Sequence, residues 1–318
     1  MERRISHAVL GVLLAFAGCD FIAVQSAPEK TADASATELS QKARDTFWAA
    51  LHGGRYEQLP EALRLLTAAY LQNPRNPETS LLLAHAHLWK IAERSREPEP
   101  DPRITDHAVL AEKYFTEARR LNPTDHRIPG WLGGVKLALG QIHQDERLTR
   151  EGYVMLHDSI ALFPEFNYFS AGYVLGSRPA DDAKFREAVD DMWRSLDLCA
   201  GEKIDRTDPD YRRFMATATT TGPRRVCWNG WIAPHNFEGF FLNMGDLLVK
   251  QGRVEQAKKI YQTAKLSKDY GSWKYQAVLE ARLAQAEERA RQFQAADPKQ
   301  HPEIMFNSAH ACAACHAR

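Results

Sequence analysis

The chain reads as all-α, built from successive helical hairpins stacked into an extended array with a short C-terminal extension, and three observations point there. Apolar residues recur at helical spacing through most of the length. No Val/Ile/Thr alternation long enough for a sheet appears. One spacing also recurs: Ala62, Leu66, Ala69 and Pro74 stand at the same offsets as Ala111, Phe115, Ala118 and Pro123, with Asn73 and Asn122 each just before the proline. The pattern returns as Gly152, Leu156, Ser159 and Pro164, and again as Ala257, Tyr261 and Ala264, where the proline is missing.

These repeats resemble the tetratricopeptide family. Small residues at i and i+7 let a neighbouring helix approach closely, and the large residue at i+4 fills the gap between the helices. Proline ends the second helix of each pair. Expected first helices run from Asp45 to Leu51, Glu78 to Ile91, Arg127 to Gly140 and Gly239 to Gly252. In the last, Phe241, Met244, Gly245, Leu248 and Gly252 occupy the large, large, small, large and turn-glycine positions of the family pattern. Two departures stand out: a stretched turn from Gly53 to Leu59, and an acidic loop from Arg94 to Thr105 expected as solvated surface. The resemblance implies a curved solenoid whose concave face binds a protein partner.

The N-terminus divides into a signal and a tether. Arg3 and Arg4 precede a mostly apolar run from Ile5 to Gly18 and then Cys19, a secretory signal too short to span a bilayer. Phe16-Ala17-Gly18-Cys19 resembles the bacterial lipobox, with Phe16 where Leu is usual; ordinary cleavage near Val24-Gln25-Ser26 is the alternative. The lipobox resemblance implies lipidation of Cys19, anchorage to the membrane through that lipid, and, with Asp20 following, retention at the inner membrane facing the periplasm. After residues 1–19, residues 20–37 are rich in Ala, Ser and Thr and read as a flexible tether.

The folded part is then expected in four stretches. Residues 38–166 hold the first three repeats, and 167–238 a non-repeat centre with one helix, Asp181 to Leu198, and an aromatic loop around Trp228, Trp231 and His235. Residues 239–297 hold the fourth repeat and one capping helix, Tyr270 to Ala296, after which Pro298 and Pro302 introduce the extension 298–318.

That extension carries the chemistry. Cys312-Ala313-Ala314-Cys315-His316 spells C-x-x-C-H, the attachment pattern of a c-type haem. Two thiols three residues apart can add to the two vinyl groups, and the adjacent imidazole falls beneath the iron as proximal ligand. A thiol redox pair or half a zinc site are the competing uses of the same spacing. The five cysteines sort into Cys19 for lipid, Cys312 and Cys315 for one covalent haem c, and Cys199 with Cys227 as either a disulfide or two buried thiols. Only two residues follow His316, so a sixth ligand must come from upstream, with Met305, His301 and His235 as candidates, or be absent. His310 lies about 9 Å back along a continuous helix, too close to reach the opposite face.

Lys+Arg and Asp+Glu are both 41, which removes the basic excess that nucleic acid would require. No phosphate-cradling glycine loop, H-E-x-x-H helix or nucleophile elbow is present, and no small-molecule substrate is indicated. Asp181-Asp182 and Asp190-Asp191 are sequence neighbours, so they point apart on a helix and are expected on a solvated face. The expected function is electron transfer or redox or gas sensing within a partner complex. A haem-free adaptor for an envelope assembly is the alternative, and a haem peroxidase is a third reading, with His235 as its only candidate distal acid or base.

Overall fold

A computed structural model describes residues 26, 28–99, 102–215 and 235–318. Among them the chain is all-helical, with no strand. Thirteen α-helices follow one another. They are α1 (Glu38–His52), α2 (Leu59–Gln72), α3 (Pro77–Ala92), α4 (Asp106–Leu121), α5 (Ile128–His143), α6 (Glu146–Leu162), α7 (Pro164–Leu175), α8 (Ala183–Ala200), α9 (Phe237–Lys250), α10 (Val254–Thr263), α11 (Gln276–Ala284), α12 (Ala286–Phe293) and the single turn α13 (Ala313–His316).

Local chemistry sets the boundaries. The Thr37 hydroxyl accepts from the Ser40 amide while the Ser40 hydroxyl accepts from the Thr37 amide, a reciprocal cap that starts α1. Asn76, Asp145, Asp182 and Asn236 cap α3, α6, α8 and α9 with side-chain oxygens. Proline stands in the first turn of α2, α3, α5 and α7, where its missing N–H is not needed.

Helices pack in consecutive pairs, α1 on α2, α3 on α4, α5 on α6, α7 on α8 and α9 on α10. The recurrent residues sit at these contacts. Ala62, Leu66 and Ala69, then Ala111, Phe115 and Ala118, then Gly152, Leu156 and Ser159, then Ala257, Tyr261 and Ala264 are all buried. In the α5–α6 pair the helices come so close that a Cβ on Gly152 would lie 2.7 Å from the Gly133 carbonyl. In the α9–α10 pair a Cβ on Gly245 would lie 2.3 Å from the Tyr261 ring, so the small residue of one helix receives the large residue of the next.

Several expectations change. Within the expected centre, residues 164–200 form a further helix pair: Pro164 opens α7 instead of only closing α6, and α7 pairs with α8. Phe163 serves as the cap of both α6 and α7, so proline begins the next helix with no loop between. The capping helix expected over Tyr270 to Ala296 is a turn at Tyr270–Ser272 followed by α11 and α12, which part at Gln285. The last part of the expected tether, 28–37, lacks regular structure but is tied down: the Asp33 amide donates to Arg75 O at 2.9 Å, and Asn73 and Asn76 donate to the carbonyls of Asp33 and Ser35. Asp191 is 2% exposed, not solvated, and burial beside Glu187 lifts its carboxyl to about 7.

Two large cores result. One runs from Ala43 to Leu139 and the other from Phe185 to Cys315, with a smaller cluster of Leu137, Leu156, Ala171, Leu175 and Ala188 between them. In the second, buried Asp246 of α9 accepts from the Tyr261 hydroxyl and the Met305 amide, both at 2.7 Å, and faces Arg282 at 3.3 Å. This one carboxylate therefore fixes α10, α11 and the start of the extension to α9. No helix of the described residues is long and apolar enough to cross a membrane.

Candidate functional site

The extension runs back along the helix pairs to the first helix. The Arg318 amide donates to the carbonyl of His52, the last residue of α1, at 2.8 Å, and a Cβ on Gly54 would meet Ala317 at 3.5 Å. The Lys274 ammonium reaches the Gly53 carbonyl. First and last helices are thus joined across the extension.

The attachment turn is held from several elements at once. Glu93, at the end of α3 and 0% exposed, accepts from the amides of Cys312 and Ala313, each at 2.7 Å. Arg96, one turn later, lies 2.8 Å from the other Glu93 oxygen and donates to the Ala309 carbonyl. The Tyr173 hydroxyl of α7 donates to Ala311 O at 3.2 Å. From the C-terminal side, Asn236 donates through Nδ2 to Ala314 O and Ala317 O at 2.9 and 3.0 Å, and its amide donates to Cys315 O at 2.6 Å. The Trp273 indole donates to Ala314 O at 3.1 Å. A Cβ on Gly239 would stand 2.6 Å from Ala314 O and 2.7 Å from Cys315 Cα, so glycine alone lets α9 lie this close.

Both thiols of the motif are free. Cys312 packs against the N-terminal core and Cys315 belongs to the C-terminal one, so the turn bridges the two. Burial pushes the Cys312 thiol far up, with Glu93 adding to the effect, and pushes Cys315 to about 12; both are protonated at neutral pH. The Tyr173 hydroxyl lies near the same three groups, and burial above all drives its pKa well up.

Around the turn lies a run of aromatic rings from successive elements. His85 of α3 meets Trp131 of α5 at 4.3 Å between centroids, Trp131 meets Phe166 of α7 at 5.1 Å, and Phe166 meets His235 at 6.2 Å. The His235 ring then meets His316 at 4.4 Å, edge to face. Phe169 touches Tyr173, His235 and Phe240, and Tyr173 touches Phe306. Phe169, Tyr173, Phe240 and Phe306 are only partly buried, although they sit among interior elements.

Of the residues singled out from sequence, the structure brings His235 to His316 and gives the other two candidates partners of their own. His301 is exposed, bonded through Nε2 to Ala295 O and set against Phe293. Met305 is fully buried in the C-terminal core with its amide on Asp246. His310 stacks on Tyr275 at 5.3 Å, its Nε2 buried without a hydrogen-bond partner. Cys199 is disulfide-bonded; Cys227 and Cys19 lie outside the described residues, as do Trp228 and Trp231.

Glu93, Arg96 and Tyr173 were not singled out. Glu93 closes an ordinary helix and Arg96 opens the loop expected as solvated surface, and nothing local marks a carboxylate that will meet an amide 219 residues away. Among the described residues no three His, Cys, Asp or Glu side chains converge as a metal cage. No family model, curated protein or solved structure matches the chain.

Proposed function

We propose that this chain is an exported helical-repeat protein of the tetratricopeptide type that carries one covalent haem c on Cys312 and Cys315, with His316 as proximal ligand, and serves electron transfer or redox or gas sensing in a complex with a protein partner. The observation that carries the reading is the attachment turn itself: two free thiols and the adjacent imidazole, clamped by residues of both cores, beside partly open aromatic walls. The donor set fits a covalent haem. Thiols at i and i+3 share one side of a single turn, and aromatic rings suit an apolar macrocycle. Bound, the haem would supply a one-electron couple or, with an open sixth position, a site for a small gas.

His235 meets the His316 ring edge to face at 4.4 Å, and with a haem held on the turn it would orient that imidazole. We extend the proposal to location: a periplasmic protein anchored to the inner membrane through lipid on Cys19. A protein partner would dock on the concave face that the tetratricopeptide resemblance implies.

The test is a haem stain on denatured protein matured with a c-type attachment system. Wild type retains colour through denaturation, and Cys312→Ala with Cys315→Ala loses it while helical content stays nearly intact. A colourless wild type leaves the adaptor reading. Cys19→Ala should move the protein from the membrane to the soluble fraction, and unchanged membrane association would count against lipidation.

A further inference from the structure

A buried carboxylate needs a reason. Taking an ionised Glu out of water costs several kcal/mol, and such groups persist where hydrogen bonds and an opposite charge offset that cost. Glu93 has no exposed surface, and its partners are specific. One oxygen takes the amides of Cys312 and Ala313, and the other faces Arg96. Those amides open the α13 turn and have no carbonyl partner within so short a helix. Arg96 holds the carboxylate from behind and also takes the Ala309 carbonyl, so one ion pair grips the chain on both sides of His310.

We propose that Glu93 is the positioning residue of the attachment turn: with Arg96 it shapes residues 309–316 before any group is bound, so that Cys312, Cys315 and His316 are presented together. The inference rests on the haem reading for its purpose but not for its geometry. In this account the N-terminal half of the chain templates the C-terminal motif. A chain whose first helices have folded offers its last residues a preformed acceptor, and attachment acts on an ordered turn, not on a loose tail.

The experiment compares wild type, Glu93→Gln, Glu93→Leu and Arg96→Gln as haem-free full chains, by amide hydrogen exchange, and after maturation, by covalent haem content. Glu93→Gln keeps an acceptor oxygen for the amides but turns its NH2 toward Arg96; Glu93→Leu removes both oxygens. Expected is a loss of protection at Cys312 and Ala313 of tenfold or more in Glu93→Leu, a smaller loss in Glu93→Gln, unchanged protection in α5 and α6, and haem content falling in the same order. If Glu93→Leu does not fold, Arg96→Gln, at a partly exposed position, carries the test and should give the intermediate loss. Wild-type protection at both amides in folded variants overturns the proposal. Lost protection in the variants with no haem in wild type sinks the haem reading and leaves the positioning role standing. Lost protection with full haem content overturns the claim that the preformed turn serves attachment.

Discussion

At the scale of single residues, partly buried imidazoles give the chain a measurable acid sensitivity. His85 lies edge-on to Phe115 and Trp131, and burial lowers its pKa to about 3, while burial brings His235 and His310 to about 4. An unfolded histidine titrates near 6.5, so between these values the unfolded chain binds more protons and stability falls as pH falls. The contribution is complete above pH 6.5 and is lost on the way down to the folded pKa. His85→Phe keeps the apolar packing and removes the proton. Relative to wild type it should be close to neutral in urea denaturation at pH 7.5, and more stable at pH 5 by on the order of 2 kcal/mol. Equal differences at the two pH values would refute it. Gly239→Ala tests close approach instead: a Cβ set 2.6 Å from Ala314 O must push the extension off α9, with an expected loss of about 1–3 kcal/mol.

At the scale of elements, Asn236 performs two tasks that substitution can separate. Its Oδ1 accepts from the Gly239 amide at 2.6 Å and starts α9, while its Nδ2 holds Ala314 and Ala317. Asn236→Asp retains the cap and sets a carboxylate against two carbonyls, so α9 should keep its exchange protection while α13 loses its own. Asn236→Ala should weaken both, with the cap alone accounting for about 1 kcal/mol. Loss at α9 in the Asp variant would rule out this division. What was legible in the sequence follows the same line. Helix pairs announce themselves through residues four and seven apart, and the positions marked that way, from Ala62 to Ala264, are buried. The α7–α8 pair stayed hidden because Pro164 reads equally well as the stop of one helix and the start of the next. The break at Gln285 stayed hidden because no proline or glycine marks it. Likewise Cys312, Cys315 and His316 are visible as spacing, but Glu93, Arg96 and Tyr173 join them only through tertiary packing that no local pattern encodes.

At the scale of the whole molecule, the extension joins the first helix pair to the last. Residues 309–318 bind His52 and Glu93 on the N-terminal side, Tyr173 in the middle, and Asn236 and Trp273 on the C-terminal side. In an open array each helix pair touches only its neighbours, so removing a terminal segment loosens the adjacent pair and leaves distant ones alone. Here the ends communicate through a strap, and its loss should be felt at both. Deletion of residues 309–318 is therefore expected to raise amide exchange in 52–54 and 93–97 as well as in α9, and to leave α5 and α6 near wild type. Thermal unfolding should broaden, because the two cores that Cys312 and Cys315 link would no longer share a covalent segment packed into both. Faster exchange confined to residues 235–308 would show instead that the contacts at His52 and Glu93 add little, and that the chain behaves as a linear stack with a passive tail.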